Sequence, residues 1–378
     1  MTMLKKKLLI STTSPLTINF ILKNQPKYLA NFYDVELVTS PDDTFEDIAL
    51  REGVVTHPLK MSRGIDPIKD FLAILKMVWL IKKVRPDIIH SYTPKAGLVT
   101  MAAALICRVP LRVHTFTGLV FPTQKGLKRL TLKLIDKFIC FCSTNIVPES
   151  NGVKNILSKQ NVTKKPLVLI GSGNIAGVDI DYFNPKLFPK VKFSNKNIRF
   201  LFVGRLHCDK GIKELVHAFS NLSGNVELTF VGDFDAEGSL DEQTLKQIKN
   251  NPKIKSVGFQ YDIRPFLVNA SVLILPSYRE GFPNVLLQAG AMAIPCLVTD
   301  IPGSNEIIEQ NKNGWIIPPK DSAALQEAME KCMILSNNEL DAMGLYAKAK
   351  VVELFEKKSH WSRMNDFYRG LLINEKNI

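Results

Sequence analysis

Several features are scarce in this 378-residue chain, and each scarcity excludes something. No apolar run approaches the roughly 20 residues that cross a bilayer. Ala96–Cys107 is about a dozen long, and Phe71–Ile81 is broken by Lys76. The six cysteines include no pair at zinc-hook spacing, and Cys140-Phe-Cys142 is too tight for one. They read as reduced core thiols of a cytosolic protein. The basic start, Met1-Thr-Met-Leu-Lys-Lys-Lys-Leu-Leu-Ile10, has only a short apolar run behind it. That is no signal-peptide h-region, and the stretch reads as a lead into a first strand. Nucleic-acid signatures are missing as well, with neither a helix-turn-helix pattern nor basic stretches interleaved with aromatics.

What is present is size, apolar content and lopsided charge. Apolar residues make up 46% of the chain, enough for substantial cores, and the length points to two domains. The net charge of +13 divides into +15 over residues 1–196 and −2 over residues 197–378. A positive half with no nucleic-acid motif points to an anionic membrane surface as its partner.

Strand-like and helix-like segments alternate along both halves. Lys7–Thr12, Tyr33–Thr39, Asp87–His90 and Leu111–Thr115 read as strands; Asp66–Val84, stopped by Arg85-Pro86, and Gly97–Cys107 read as helices. In the second half Ile198–Val203, Val226–Val231, Val272–Leu275 and Cys296–Val298 are strand-like. Asp209–Asn221, Leu240–Asn250, Pro283–Ala293 and Ser322–Ser336 are helix-like. Such alternation predicts an α/β protein with doubly wound parallel sheets. Val178–Asn197, rich in Asp, Pro, Lys and Asn, reads as a hinge. Gly171-Ser-Gly-Asn-Ile-Ala-Gly177 imitates a dinucleotide loop, but its glycine spacing is one residue too long.

Two stretches carry chemistry. Glu280-Gly-Phe-Pro-Asn-Val-Leu-Leu-Gln288 follows the strand-like Ser271–Leu275 and leads into a small-residue helix. Pro283 suits the first helical position. Helix-start amides favour an anion such as phosphate, while a carboxylate beside them repels it and suits sugar hydroxyls instead. The other stretch, Gly204-Arg-Leu-His-Cys-Asp-Lys-Gly211, lies at the predicted C-terminal end of Ile198–Val203, where open α/β sheets bind ligands. Arg205 offers a planar fork for phosphate oxygens and Lys210 a compact point charge. Together they would hold and neutralise phosphate without a metal or other cofactor. Asp233-Phe-Asp235 has the spacing of a metal-binding carboxylate pair but is expected not to act as one.

Both stretches resemble the signatures of the retaining glycosyltransferases of family 4, also called group 1: Glu-x7-Glu within E-G-F-P-x-x-x-x-E-A-x-A-x-G-x-P, and G-R-L-x-x-x-K-G. The resemblance implies the GT-B fold, two Rossmann-like domains facing a cleft. It assigns residues 1–185 to an acceptor-binding domain, 186–355 to a nucleotide-sugar-binding domain, and 356–378 to a helix crossing back to the first. It implies Glu280, Arg205 and Lys210 as catalytic residues, with Gly204, Gly281, Phe282, Asn284, Val285 and Gln288 binding the donor. Two features depart from the pattern: Gln288 replaces the second acid, which contacts ribose in the family, and the later glycine is missing from the stretch that runs through Ile294 to Pro295. A glutamine still bonds a hydroxyl but forfeits charge assistance. Attack from the front face, with a donor phosphate oxygen taking the acceptor proton, is implied too. Base contacts are expected near Gly258–Asp262.

The acceptor side is expected from the first domain. His90-Ser-Tyr-Thr-Pro-Lys95 and His114-Thr-Phe-Thr-Gly118 end two predicted strands, which makes His90, Lys95, His114 and Thr117 candidates. Many relatives carry histidine where Thr117 stands. Phe121–Cys142 is a basic amphipathic segment, with Leu127, Leu130, Leu134, Phe138 and Phe141 on one face and lysines on another. It reads either as a membrane-surface helix or as a surface helix whose apolar face enters the core.

The leading expectation is an enzyme, a metal-independent hexosyltransferase acting at the cytoplasmic face of a membrane. It moves a hexose or N-acetylhexosamine from a UDP-linked donor to a lipid-linked or growing surface-polysaccharide acceptor, as in capsule or O-antigen assembly. Two readings stay beside it: a catalytically silent sugar-nucleotide-binding relative, and a nucleotide-sugar epimerase.

Overall fold

The computed structural model describes residues 5–62, 64, 66–189, 197–235 and 240–375. Residues 190–196 of the expected hinge, and Met1–Leu4 of the basic start, lie outside them. The chain forms two compact units, Met1–Gly177 with Lys358–Ile378, and Val178–Lys357.

The first unit contains β1 (Lys7–Ser11), α1 (Gln25–Leu29), β2 (Asp34–Thr39), α2 (Phe45–Glu52), β3 (Val55–Pro58) and α3 (Pro67–Val84). It continues with β4 (Ile88–Tyr92), α4 (Pro94–Ile106), β5 (Leu111–Phe116), α5 (Gly126–Cys142), β6 (Asn145–Pro148) and α6 (Asn151–Lys159). The second holds β7 (Ile198–Val203), α7 (Ile212–Ser220), β8 (Val226–Val231), α8 (Glu242–Asn250), β9 (Ile254–Ser256), α9 (Arg264–Val268) and β10 (Val272–Leu275). It ends with α10 (Asn284–Ala291), β11 (Cys296–Thr299), α11 (Ser304–Ile307), β12 (Gly314–Ile317), α12 (Ser322–Ile334) and α13 (Asn337–Phe355). The last helix, α14 (Lys357–Glu375), sends Met364 and Tyr368 into the core of the first unit.

Each unit is one parallel six-stranded sheet, in the orders β3-β2-β1-β4-β5-β6 and β12-β11-β10-β7-β8-β9. Apolar side chains alternate across the strands. Leu8, Ile10 and Ile88 join the core on one face of the first sheet, and Leu9 and Ile89 the core on the other. Helices cover both faces, as a parallel sheet requires. Local signals start and stop the helices: Asp66 caps α3 by accepting from Lys69 N–H at 3.1 Å, and Arg85, with φ 53°, ends it before Pro86.

One expected boundary shifts. Val178, Ile180, Phe183 and Phe188 pack into the core of the second unit, so that unit begins at Val178 rather than after residue 185. Their apolar side chains outweigh the Asp and Pro content that reads as hinge. Among the described residues no helix is long and apolar enough to cross a membrane.

Candidate active site

Strand order in the second unit reverses between β7 and β10. From β7 the chain winds outward through β8 and β9, and from β10 through β11 and β12. That reversal opens a crevice at the C-terminal ends of the two strands, the usual ligand position in such sheets. The loops that leave there are Gly204–Gly211, after β7, and Pro276–Pro283, after β10.

The two loops are tied together. Tyr278 N–H donates to the Asp209 carbonyl at 2.8 Å, and Arg279 pairs with the Asp209 carboxylate at 2.8 Å. Gly211 makes the approach possible: its φ is 67°, and a Cβ there would lie 2.1 Å from the Pro276 carbonyl oxygen. On this frame Lys210 Nζ meets Glu280 Oε1 at 2.6 Å, and Ser277 Oγ donates to the same oxygen at 2.7 Å. Both bonds fall on Oε1. The pair is largely enclosed, with the Lys210 side chain 21% and the Glu280 side chain 14% exposed. Arg205 stands apart from it. Its side chain is 64% exposed and its guanidinium pairs with Asp235.

Behind Glu280, Phe282 is buried against the ring of Phe355 at 5.3 Å between centroids. Pro283 caps α10, which starts at Asn284, one residue later than the proline rule suggests. Gly281, Asn284, Val285 and Gln288 are half-buried along this start. Asp233 Oδ1 accepts from Phe259 N–H at 2.9 Å, which ties it to the Gly258–Asp262 stretch expected to hold the base. His207, Cys208 and Asp209 form a grouping of metal-ligand types, but His207 Nδ1 accepts from Asp209 N–H at 3.0 Å and Asp209 is taken by Arg279.

The acceptor-side candidates of the first unit do not converge on a common site: His90 and His114 lie on the paired strands β4 and β5 but point to opposite faces. His90 is fully buried, its Nδ1 bonded to Tyr368 Oη at 2.6 Å and its Nε2 to Thr115 Oγ1 at 2.7 Å. Both nitrogens are spent, so it holds the sheet to α14 and is not open to a ligand. Burial pushes its pKa well below the usual histidine value, with His114 adding to the shift. His114 lies on the other face, bonded through Nδ1 to Ser91 Oγ at 2.8 Å, while its Nε2 is buried without a partner. Burial lowers its pKa to about 3. Lys95 is engaged by both carboxylate oxygens of Asp70 at 2.6 Å. Thr117, just past β5, is half-buried. Strand ends alone do not expose a side chain, and the expectation that both histidines face a ligand is corrected here.

Sequence reading passed over several supporting residues. Ser277 and Asp209 have no signature of their own, and only their contacts reveal them. Thr13 and Thr93 flank the matching strand-order reversal of the first unit, between β1 and β4, with their hydroxyls 2.6 Å apart. Thr93 sits at φ 75°, a strained value for a β-branched residue. The polar run Ser11-Thr-Thr-Ser14 at the end of a buried strand was the available signal.

Comparison with known proteins fits this geometry. Residues 197–334 match the family model described as glycosyl transferases group 1, and residues 8–147 that described as glycosyl transferase 4-like. The chain is 31% identical to the capsular polysaccharide biosynthesis glycosyltransferase CapM of Staphylococcus aureus, over 90% of each chain. It is 26% identical, over 83% of each, to the UDP-Gal:alpha-D-GlcNAc-diphosphoundecaprenol alpha-1,3-galactosyltransferase of Escherichia coli. The Anabaena protein Alr3699/HepE in complex with UDP and glucose superposes with a TM-score of 0.81 at 17% identity, over 97% of this chain and 100% of that one. With two parallel six-stranded α/β units and matches over most of its length, the chain belongs to the group 1 glycosyltransferases of GT-B fold.

Proposed function

We propose that this glycosyltransferase moves a hexose or N-acetylhexosamine from a UDP-linked donor to a lipid-linked saccharide of a surface polysaccharide, with retention of configuration and without a metal ion. The contact between Lys210 and Glu280 carries the reading. It puts an ammonium and a carboxylate side by side at the strand-order reversal, next to the start of α10. In this contact the two neutralise each other. A diphosphate competes for Lys210, and the released Glu280 then grips sugar hydroxyls. Arg205, whose side chain is exposed, exchanges Asp235 for the phosphates and joins Lys210 there. As the sugar–phosphate bond breaks, these cations and the amides of α10 take up the charge on the leaving diphosphate. A phosphate oxygen on the same face removes the acceptor proton, which needs no protein base.

Independence of metal is supported by the Asp233-Phe-Asp235 carboxylates, which are spent on Phe259 N–H and on Arg205. UDP as carrier and a diphospho-lipid acceptor are supported by the E. coli relative, whose name specifies both. A carrier-lipid acceptor met by a nucleotide donor supports work at the cytoplasmic membrane face. Of the acceptor-side candidates, Lys95 and Thr117 are half-buried, and Lys95 is engaged by Asp70, which favours Thr117.

A thermal-shift panel of nucleotide sugars, followed by transfer of label into a membrane lipid extract, tests this. UDP-hexoses or UDP-N-acetylhexosamines should raise the melting temperature most, by mass action. Labelled lipid should appear in the presence of EDTA, with the donor's anomeric configuration. Turnover of donor with no acceptor would select the epimerase reading, and tight binding with no transfer to any lipid-linked acceptor the silent one.

A further inference from the structure

The helices α3 and α5 break the usual rule for a surface helix, which is apolar toward the core and polar toward water. On α3, Ala73, Met77, Leu80, Ile81 and Val84 face the core. The opposite side is apolar as well: Ile68, Phe71, Leu72, Leu75 and Trp79, spaced by three and four, are exposed, Ile68 by 75% and Trp79 by 66%. On α5 the core side holds Ile139, Cys140 and Cys142. Leu127, Leu130, Leu134, Phe138 and Phe141 run along the outside, with Leu127 exposed by 78% and Phe141 by 68%. The structure therefore overturns the alternative that this face of α5 enters the core. Between them α4 packs against both, which sets the two stripes on one layer of the first unit.

Charge identifies the occupant. The outward sides of the two helices carry Lys69, Lys76, Lys82 and Lys83, and Lys128, Arg129, Lys133 and Lys137. The one acid within each helix is withdrawn: Asp70 is buried against Lys95, and Asp136 is buried, its pKa raised to about 7 by burial. Apolar stripes of this size on a soluble protein mark a binding surface. Flanked by cations and free of exposed acids within the helices, they suit an anionic bilayer, with side chains among the acyl chains and ammonium groups at the phosphates.

We propose that α3 and α5 form a two-helix platform that docks the first unit on an anionic lipid bilayer. This deepens the reading of a membrane-borne acceptor and rests on it for its purpose, but its test needs no catalysis. Trp79 is a built-in probe, because Trp315 and Trp361, the other two tryptophans, are buried. With phosphatidylglycerol vesicles, its emission should shift to the blue and be quenched by brominated acyl chains. Binding to phosphatidylcholine vesicles should be at least about tenfold weaker, and 0.5 M salt should weaken binding to the anionic ones. The pairs Phe71→Ser/Trp79→Ser and Leu130→Ser/Phe138→Ser should each reduce vesicle flotation about tenfold. Their melting temperature, and the shift caused by UDP, should stay as in the wild type. Unchanged Trp79 emission, or variants that float like the wild type, would overturn the platform. So would a solution dimer that buries the stripes and persists on vesicles. A failed UDP shift with intact flotation would strike the donor reading alone.

Discussion

In the proposed reaction Glu280 is the residue that grips the sugar. Replacing Glu280 by alanine should lower transfer about 100- to 1000-fold, as removal of a preorganised polar group in an active site does. The melting temperature should hold, because the residue sits on a loop. Lys210→Ala should cost a similar factor, but it should also weaken binding of UDP itself, which Glu280→Ala should spare. Titration calorimetry with UDP separates the two roles. Gln288 gives a prediction of opposite sign. Gln288→Glu restores a charge-assisted bond to ribose and should tighten UDP about fivefold. Unchanged or weaker affinity would mean that Gln288 does not contact the ribose. Sequence showed Glu280, Lys210 and Arg205 because their loops follow apolar strands and carry spaced glycines. It did not show that Lys210 and Glu280 touch, since pairing across 70 residues depends on the order of strands in the sheet.

Among the elements, eight of the stretches read as strands are β1, β2, β4, β5, β7, β8, β10 and β11, all interior to the two sheets, while Leu167–Ile170, strand-like before the glycine loop, makes only a bridge from Leu167 to Ile146. The four passed over, β3, β6, β9 and β12, are the four edges. They are three or four residues long, too short for a run or an alternation to register. The helix α13 was missed for another reason. It follows α12 after two residues, and its capping box, Ser336 with Glu339, marks a new start just where the sequence reading ended a helix at Ser336. His114 stood as an acceptor-side candidate, open between a ligand-facing and a satisfied strand-end histidine, because nothing in the sequence shows that α4 covers it. A Cβ at Gly97 of α4 would come within 2.4 Å of its ring. Gly97→Ala should therefore destabilise the protein by about 1–3 kcal/mol. In a His114→Ala background most of that cost should vanish, a coupling that a double-mutant cycle by chemical denaturation reads directly.

At the scale of the whole molecule, buried histidines set the response to pH. His90, His114 and His360 are all buried and held below their ordinary pKa by that burial, His114 at about 3 and His360 at about 4. Unfolding restores a value near 6.5 to each, so below that pH the unfolded chain binds more protons than the folded one. Stability is then complete above about 6.5 and falls as pH drops, by up to about 1.4 kcal/mol per pH unit for each histidine. Asp136, raised to about 7, works in the opposite direction, and three groups outweigh one between pH 6.5 and 5. Denaturant titrations should show lower stability at pH 5 than at pH 7, and a flat profile would mean that these side chains are hydrated in the folded state. The excess positive charge of the first half was legible in the sequence, whereas the outward turn of its apolar stripes was not, because periodicity shows that a face exists but not which way it points.

The most direct test of the donor site is transfer of labelled sugar from its nucleotide donor to extracted membrane lipid by the Glu280→Ala protein, with UDP binding measured on the same preparation. The account predicts intact UDP affinity with transfer at least about 100-fold below wild type. Near-normal transfer by that variant would contradict it.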